Sequence, residues 1–262
     1  MSRTIVLIHG AWMNPESWAP FKAHYEARGF TVLAPAWPHD DRSAAELRAS
    51  PNPALATVGV PEIVAHYAAA IRALPEPPIL IGHSFGGLFV QMLLDRGLGA
   101  CGVAINPAPP KGVFPTLNAI KAGFPVLSTW NAGAKVITLS FADFAWGWVH
   151  TLPEAEQHEV YDRFCVPTPG KVYVQGAAAP FTDTMAVNFA NHTRAPLLII
   201  AGTEDRTVPP EMVRATYEKQ KQSKSRTDFK EFVGRTHWIC GQPGWEEVAD
   251  YAISWVEALP SS

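Results

Sequence analysis

Cysteine is scarce in this chain: Cys101, Cys165 and Cys240 are three in 262 residues, an odd number without C-x-x-C spacing. That excludes a disulfide scaffold and a cysteine-based zinc site, and makes a reducing cytoplasm the default expectation. An excess of one charge is also missing. Lys and Arg total 21 against 24 Asp and Glu, a formal net charge of −3, which gives no electrostatic case for nucleic acid or an anionic membrane as partner. Long hydrophobic runs are absent too. Residues 1–10, MSRTIVLIHG, hold only a short apolar run before a His-Gly turn, too short for a signal-peptide core or a membrane span, so no exported or membrane fate is expected. There are no internal repeats and no low-complexity tract. What remains, 47% hydrophobic and 17% charged residues, is the composition of a globular protein able to bury a core, as one large α/β domain or two smaller ones.

One stretch stands out within that ordinary composition. The apolar run Ile79-Leu80-Ile81 leads into Gly82-His83-Ser84-Phe85-Gly86, and residues 87–96 follow with helical spacing. A strand that becomes a helix within about three residues forces Ser84 into a strained conformation, and glycines two positions either side remove the Cβ atoms that would collide. This is the G-x-S-x-G pattern in the strand–helix context that gives it meaning.

Strands are also expected at 4–8, 30–33, 102–105, 197–201 and 227–232, with helices at 17–28, 61–73, 210–222 and 245–258. Such alternation predicts a mainly parallel sheet covered on both faces. From Pro107 to about Ala190 the alternation stops, and 12 of the 28 aromatics fall there, including Phe141, Phe144, Trp146 and Trp148. An insertion between two strands is expected to sit over their C-terminal ends as a cap, giving a core of 1–106 and 191–262 and a cap of 107–190. Gly97-Leu98-Gly99-Ala100-Cys101-Gly102 fits the dinucleotide pattern G-x-G-x-x-G, but it follows a helix and precedes a strand, the reverse of the required order, and reads as a helix end and turn.

A serine hydroxyl is a poor nucleophile at neutral pH; it needs an imidazole to take its proton and a carboxylate to orient that imidazole. In a parallel sheet both should follow other strands. After 197–201 come Glu204 and Asp205, and after 227–232 comes His237. Asp205 is the favoured acid, with Glu204 as rival; Asn106, after 102–105, cannot carry the charge. The developing oxyanion needs two fixed donors, for which the backbone N–H groups of Ala11 and Phe85 are placed. His9 and His83 flank the site in sequence and are expected to serve as structural hydrogen-bonding groups. Trp12, Trp238 and Trp146 are expected as substrate-pocket walls.

With IHGAW, GHSFGG, GTEDRTVP and THW in that order, the chain resembles the α/β-hydrolase superfamily over essentially its full length. It is most similar to small capped members, a group that includes bacterial esterases, plant methylesterases and hydroxynitrile lyases. The resemblance implies an α/β-hydrolase fold with six mainly parallel strands, helices on both faces and a helical cap after the strand ending near Ile105. Haloalkane dehalogenases and epoxide hydrolases carry an aspartate where Ser84 stands. The cyanide-releasing lyases carry a lysine after the histidine, where this chain has Trp238. The expected activity is cleavage of a carboxylic ester of a small, apolar or aromatic substrate through an acyl-enzyme, with no metal or organic cofactor. A thioesterase, lactonase, carbon–carbon bond hydrolase or perhydrolase would use the same triad, and a ligand-sensing receptor could retain it. A panel of esters, thioesters and lactones separates the enzymes; sustained turnover separates any of them from a receptor.

Overall fold

A computed structural model describes residues 2–260. Six parallel strands form the central sheet: β1 (Thr4–Ile8), β2 (Thr31–Leu33), β3 (Ile79–His83), β4 (Cys101–Ile105), β7 (Leu197–Gly202) and β8 (Thr227–Phe232), in the order β2-β1-β3-β4-β7-β8. Because side chains alternate along a strand, the sheet feeds two cores. Val6, Ile8, Leu80, Ala104 and Ile199 point to one face; Ile5, Leu7, Ile81, Val103 and Ile200 point to the other.

The first face is covered by α3 (Val60–Arg72), α4 (Phe85–Asp95) and α9 (Pro210–Gln220). The buried residues of α3, Val60, Ile63, Val64, Tyr67, Ala68 and Ile71, follow helical spacing around one stripe. The second face is covered by α1 (Ala19–Glu26) and α10 (Trp245–Glu257). A short helix, α2 (Ala44–Ala49), lies between β2 and α3 and begins at a Ser43/Glu46 capping box. The helix expected at 17–28 starts later, at Ala19, because Pro15–Trp18 forms a tighter 3₁₀ turn capped by Asn14.

Between β4 and β7 the chain leaves the sheet. It forms α5 (Leu117–Leu127), α6 (Phe141–Phe144) running into a π-helical turn at Ala145–Val149, α7 (Glu154–Phe164) and α8 (Gly170–Ala177). Two short strands, β5 (Val136–Ile137) and β6 (Thr168–Pro169), pair antiparallel apart from the main sheet. Val126, Phe144, Trp148, Phe164 and Val172 of this excursion belong to the same buried cluster as the first sheet face. The excursion is therefore packed onto the sheet rather than tethered to it. Gly97 and Gly99, with φ of +71° and +92°, make the turn between α4 and β4. Among the described residues no helix is long and apolar enough to cross a membrane.

Strand register decides what the sheet presents at one edge. Ile8 pairs with Gly82, His83 with Ile105, Ile105 with Ile200, and Gly202 with Phe232. All five strands thus end at about the same level, and the loops leaving them meet there.

Candidate active site

Ser84 sits between β3 and α4 with φ 56° and ψ −122°, a left-handed conformation that costs a non-glycine residue on the order of 1–3 kcal/mol. The strain is held by close packing. A Cβ on Gly86 would collide with the Ile8 carbonyl, and one on Gly82 with the Gly86 carbonyl. The loop after β1 lies directly against the serine, since a Cβ on Gly10 would come within 2.7 Å of Ser84 Cβ.

The loops after β7 and β8 bring the acid and the imidazole together. His237 Nδ1 donates to Asp205 Oδ2 at 2.6 Å, with both side chains fully buried. The other carboxylate oxygen accepts from Thr207 N and Val208 N, each at 2.8 Å. Charge-assisted bonds of this kind fix Asp205 in place, whereas Glu204 is exposed. Asn106 is the tie beneath them: its Oδ1 accepts from Gly202 N at 2.7 Å and its Nδ2 donates to Thr236 O at 3.2 Å. The neutral amide thus links the ends of β4 and β7 to the residue before His237.

The imidazole of His237 is sandwiched by rings, with Trp148 at 4.3 Å and His83 at 4.6 Å between centroids. Its Nε2 is buried and has no hydrogen-bond partner, so the link to Ser84 Oγ is not closed. Burial, reinforced by the neighbouring His237, holds the His83 pKa well below its usual value and keeps that ring neutral. His9 is also neutral. Burial brings it down to about 4, and with Nδ1 protonated it donates to Gly10 O at 3.0 Å while Nε2 accepts from Trp37 N at 3.2 Å. Asp40 Oδ2 lies 3.9 Å from His9, and burial raises that carboxyl well above the ordinary range.

The N–H groups of Ala11 and Phe85 make no hydrogen bond to the described residues. Both lie in segments that touch Ser84: Phe85 opens α4, and Ala11 follows Gly10. The next residue anchors that loop. Trp12, at φ 58°, donates its backbone N–H to Thr168 Oγ1 at 2.6 Å and its indole N–H to Ile137 O at 3.2 Å, both partners lying on the β5–β6 pair.

A cavity of about 170 Å³ opens beside Ser84. Its walls come from Phe85, from α5 through Ile120 and Gly123, from α8 through Tyr173 and Gly176, and from Met185. Among the described residues no charged side chain lines it, and its side-chain hydroxyls are those of Ser84, Tyr173 and Thr207. Thr207 spends its hydroxyl on Gly147 O at 3.0 Å. The Tyr173 ring stands between Trp12 (4.4 Å) and Phe85 (5.2 Å), and its hydroxyl has no partner among the described residues.

The three tryptophans named from sequence do not line this cavity. Trp12 stands one layer behind it, its ring tilted against that of Tyr173, because its indole N–H is drawn to Ile137 O. Trp238 is buried against Phe164 of α7. Trp146 sits under cations, with Lys121 Nζ 4.1 Å and Arg206 Cζ 5.6 Å from its ring centre. Tyr173, Gly176 and Met185 take their place. Nothing near them in sequence resembles a motif, so only folding reveals them. The three cysteines are free and buried, and burial pushes the Cys101 and Cys165 thiols up to about 12. No cluster of metal-ligating side chains occurs among the described residues.

The sequence matches the alpha/beta hydrolase family over residues 5–251. The chain belongs to that family. No curated protein matches it significantly. Among solved structures it is similar to the monoacylglycerol lipase of Paleococcus ferrophilus, at 25% identity over 96% of this chain and 93% of that one, with a TM-score of 0.67. It shares its fold with an extracellular alpha/beta-hydrolase from a Paenibacillus species, at 21% identity, 96% and 98% coverage and a TM-score of 0.70. Tomato methylketone synthase I has the same fold, at 16% identity, 98% coverage of both chains and a TM-score of 0.71. Family membership and a lipase among the similar structures support hydrolase activity.

Proposed function

We propose that this member of the alpha/beta hydrolase family is a serine esterase acting on uncharged carboxylic esters with a small apolar or aromatic acyl group. The observation that carries the reading is the fully buried His237–Asp205 pair at 2.6 Å, which leaves Nε2 as the one imidazole atom free for the proton of Ser84. With Asp205 holding Nδ1–H, His237 can act as a base only through Nε2. Ser84 Oγ attacks the ester carbonyl as its proton passes to Nε2, and the alcohol leaves with that proton. Water then reverses the sequence to release the acid. The unbonded Ser84–His237 link fits a site whose catalytic hydrogen bonds tighten when substrate is present.

The N–H groups of Ala11 and Phe85 receive the oxyanion; one such donor is worth roughly 10²–10³ in rate. Substrate class follows from the walls. A charged acyl group would lose its hydration against apolar side chains with no counter-ion in return, and a cavity of about 150 Å³ is enough for one benzene ring. The Tyr173 hydroxyl is the remaining polar group able to orient an ester. Ser84→Ala is expected to lower kcat by about 10⁴–10⁶ with the melting temperature unchanged. A fluorophosphonate should label Ser84 in the wild type. Near-normal turnover in Ser84→Ala, or labelling elsewhere, overturns the reading.

A further inference from the structure

Among the described residues, six of the eleven exposed large apolar side chains fall between Phe114 and Trp130, along and beside one cap helix. On α5, Leu117 (84% exposed), Ile120, Phe124 (62% exposed) and Leu127 succeed one another at spacings of three and four residues, which sets them on one stripe. Phe114 precedes the helix, Trp130 (88% exposed) follows it, and Phe181 (87% exposed) adjoins the cavity residue Pro180. Gly123 and Val126 already supply a buried inner face. The helix is therefore apolar over more of its surface than its packing uses. Single exposed apolar residues need no explanation, but a contiguous patch does.

Two residues belong to both surfaces. Ile120 and Leu127 are exposed, and both also line the cavity that holds Ser84. The outside of the cap and the path to the serine are one continuous apolar surface. Charge is distributed to match. Residues 107–142 contain Lys111, Lys121 and Lys135 and no Asp or Glu, in a chain of net charge −3. Asp183, two residues beyond Phe181, takes up the charge of Lys111 at 2.8 Å, so that Lys121, over Trp146, and the exposed Lys135 are the positive charges left beside the stripe.

We propose that the α5 stripe, with Phe114, Trp130 and Phe181, docks on the surface of a phospholipid bilayer bearing anionic headgroups. Apolar esters then pass from the bilayer to Ser84 without crossing water, a consequence that rests on the esterase reading. The whole-chain charge pointed away from membranes because it averages over this local excess. Leucine, isoleucine and phenylalanine on one helix face, with exposed aromatic residues before and after it and lysine nearby, is what an anionic bilayer surface binds. A second copy meeting the same stripe would bring its own lysines against these.

The test is flotation of the full chain with vesicles of phosphatidylcholine alone and of phosphatidylcholine with phosphatidylglycerol. It compares the wild type with Leu117→Gln/Phe124→Ser/Trp130→Gln, none of which lines the cavity. The wild type should float with the anionic vesicles and less with the zwitterionic ones. The triple variant should bind more weakly by roughly tenfold for each side chain removed, with unchanged turnover of a water-soluble acetate ester. Failure of the wild type to float, equal flotation of the variant, or equal binding to both vesicle types overturns the proposal. So does light scattering that shows a wild-type dimer, broken in the variant, with no flotation. Flotation without any ester turnover would remove the esterase reading and leave the docking surface standing.

Discussion

Around Ser84, at the ends of the strands, polar groups are tied down. Asp205 uses both carboxylate oxygens, Asn106 joins two strands to the histidine loop, and His9 uses both ring nitrogens. Across the cavity the segment between β4 and β7 contributes little that is polar beyond the Tyr173 hydroxyl. Its wall is Ile120, Gly123, Gly176 and Met185, and its outer face is a row of uncovered apolar side chains. The rim is arranged for chemistry, which tolerates little displacement of the reacting groups. The segment between β4 and β7 presents apolar side chains, whose contacts are non-directional and tolerate variety. A rim substitution should therefore change rate for every substrate, and a cap substitution should change preference among them.

The largest expected effect tests the rim. Asp205→Asn keeps the shape of the side chain but can no longer hold His237 in the tautomer that leaves Nε2 as an acceptor; kcat should fall by about 10⁴ for every ester. A fall limited to some esters would break the distinction. The next effect tests how well the rim excludes water. Burial lowers the His9 pKa from 6.5 to about 4, so below pH 6.5 the unfolded chain binds a proton that the folded chain refuses. Stability from this position is fully present above pH 6.5 and is lost as pH falls toward 4, by on the order of 3 kcal/mol. In denaturant titrations His9→Gln should gain on the wild type by that amount over this window. Making the comparison in an Asp40→Asn background removes the carboxyl 3.9 Å away, whose titration acts in the opposite sense, and the His83 contribution common to both proteins drops out of the difference. A pH-independent difference would mean that His9 is hydrated. The smallest effect tests the cap. A Cβ on Gly176 would sit 3.7 Å from Phe85 and Met185, so Gly176→Val should fold. Its extra methyls should lower kcat/KM for benzoate or hexanoate esters by roughly 10–200-fold relative to acetate. An equal fall for all three esters would place Gly176 outside the acyl site.

Legibility in the sequence divides along the same line. The strands at Thr4–Ile8 and Thr227–Phe232 have the expected bounds; in the first a continuous apolar run is a local signal. Ser84 announces itself through Gly82 and Gly86, whose missing Cβ atoms answer a collision only a strand–helix turn creates. The helix at Ala44–Ala49 was legible too, through Ser43 and Glu46, but its short length hid it. Trp12 and Trp238 stand next to motifs and Trp146 in the aromatic-rich stretch, which makes each look like a pocket wall, yet none lines the cavity. Each has a stronger claim elsewhere: a carbonyl, two cations and the Phe164 ring. Tyr173 could not be found from its neighbours, since what sets it beside Phe85 is the docking of α8 across more than 80 residues of chain.

By itself the sequence determined the parallel sheet, the turn at Ser84 and the order of serine, acid and histidine. The strands and the turn depend on residues close together in the chain, whose spacing and backbone demands can be read directly, and the order follows from which strand each of the three comes after. The sequence favoured Asp205 over Glu204; the tertiary structure alone decided which residues wall the cavity and that α5 keeps a face uncovered. Those outcomes depend on which distant surfaces exclude water from one another, and burial is a property of the assembled chain.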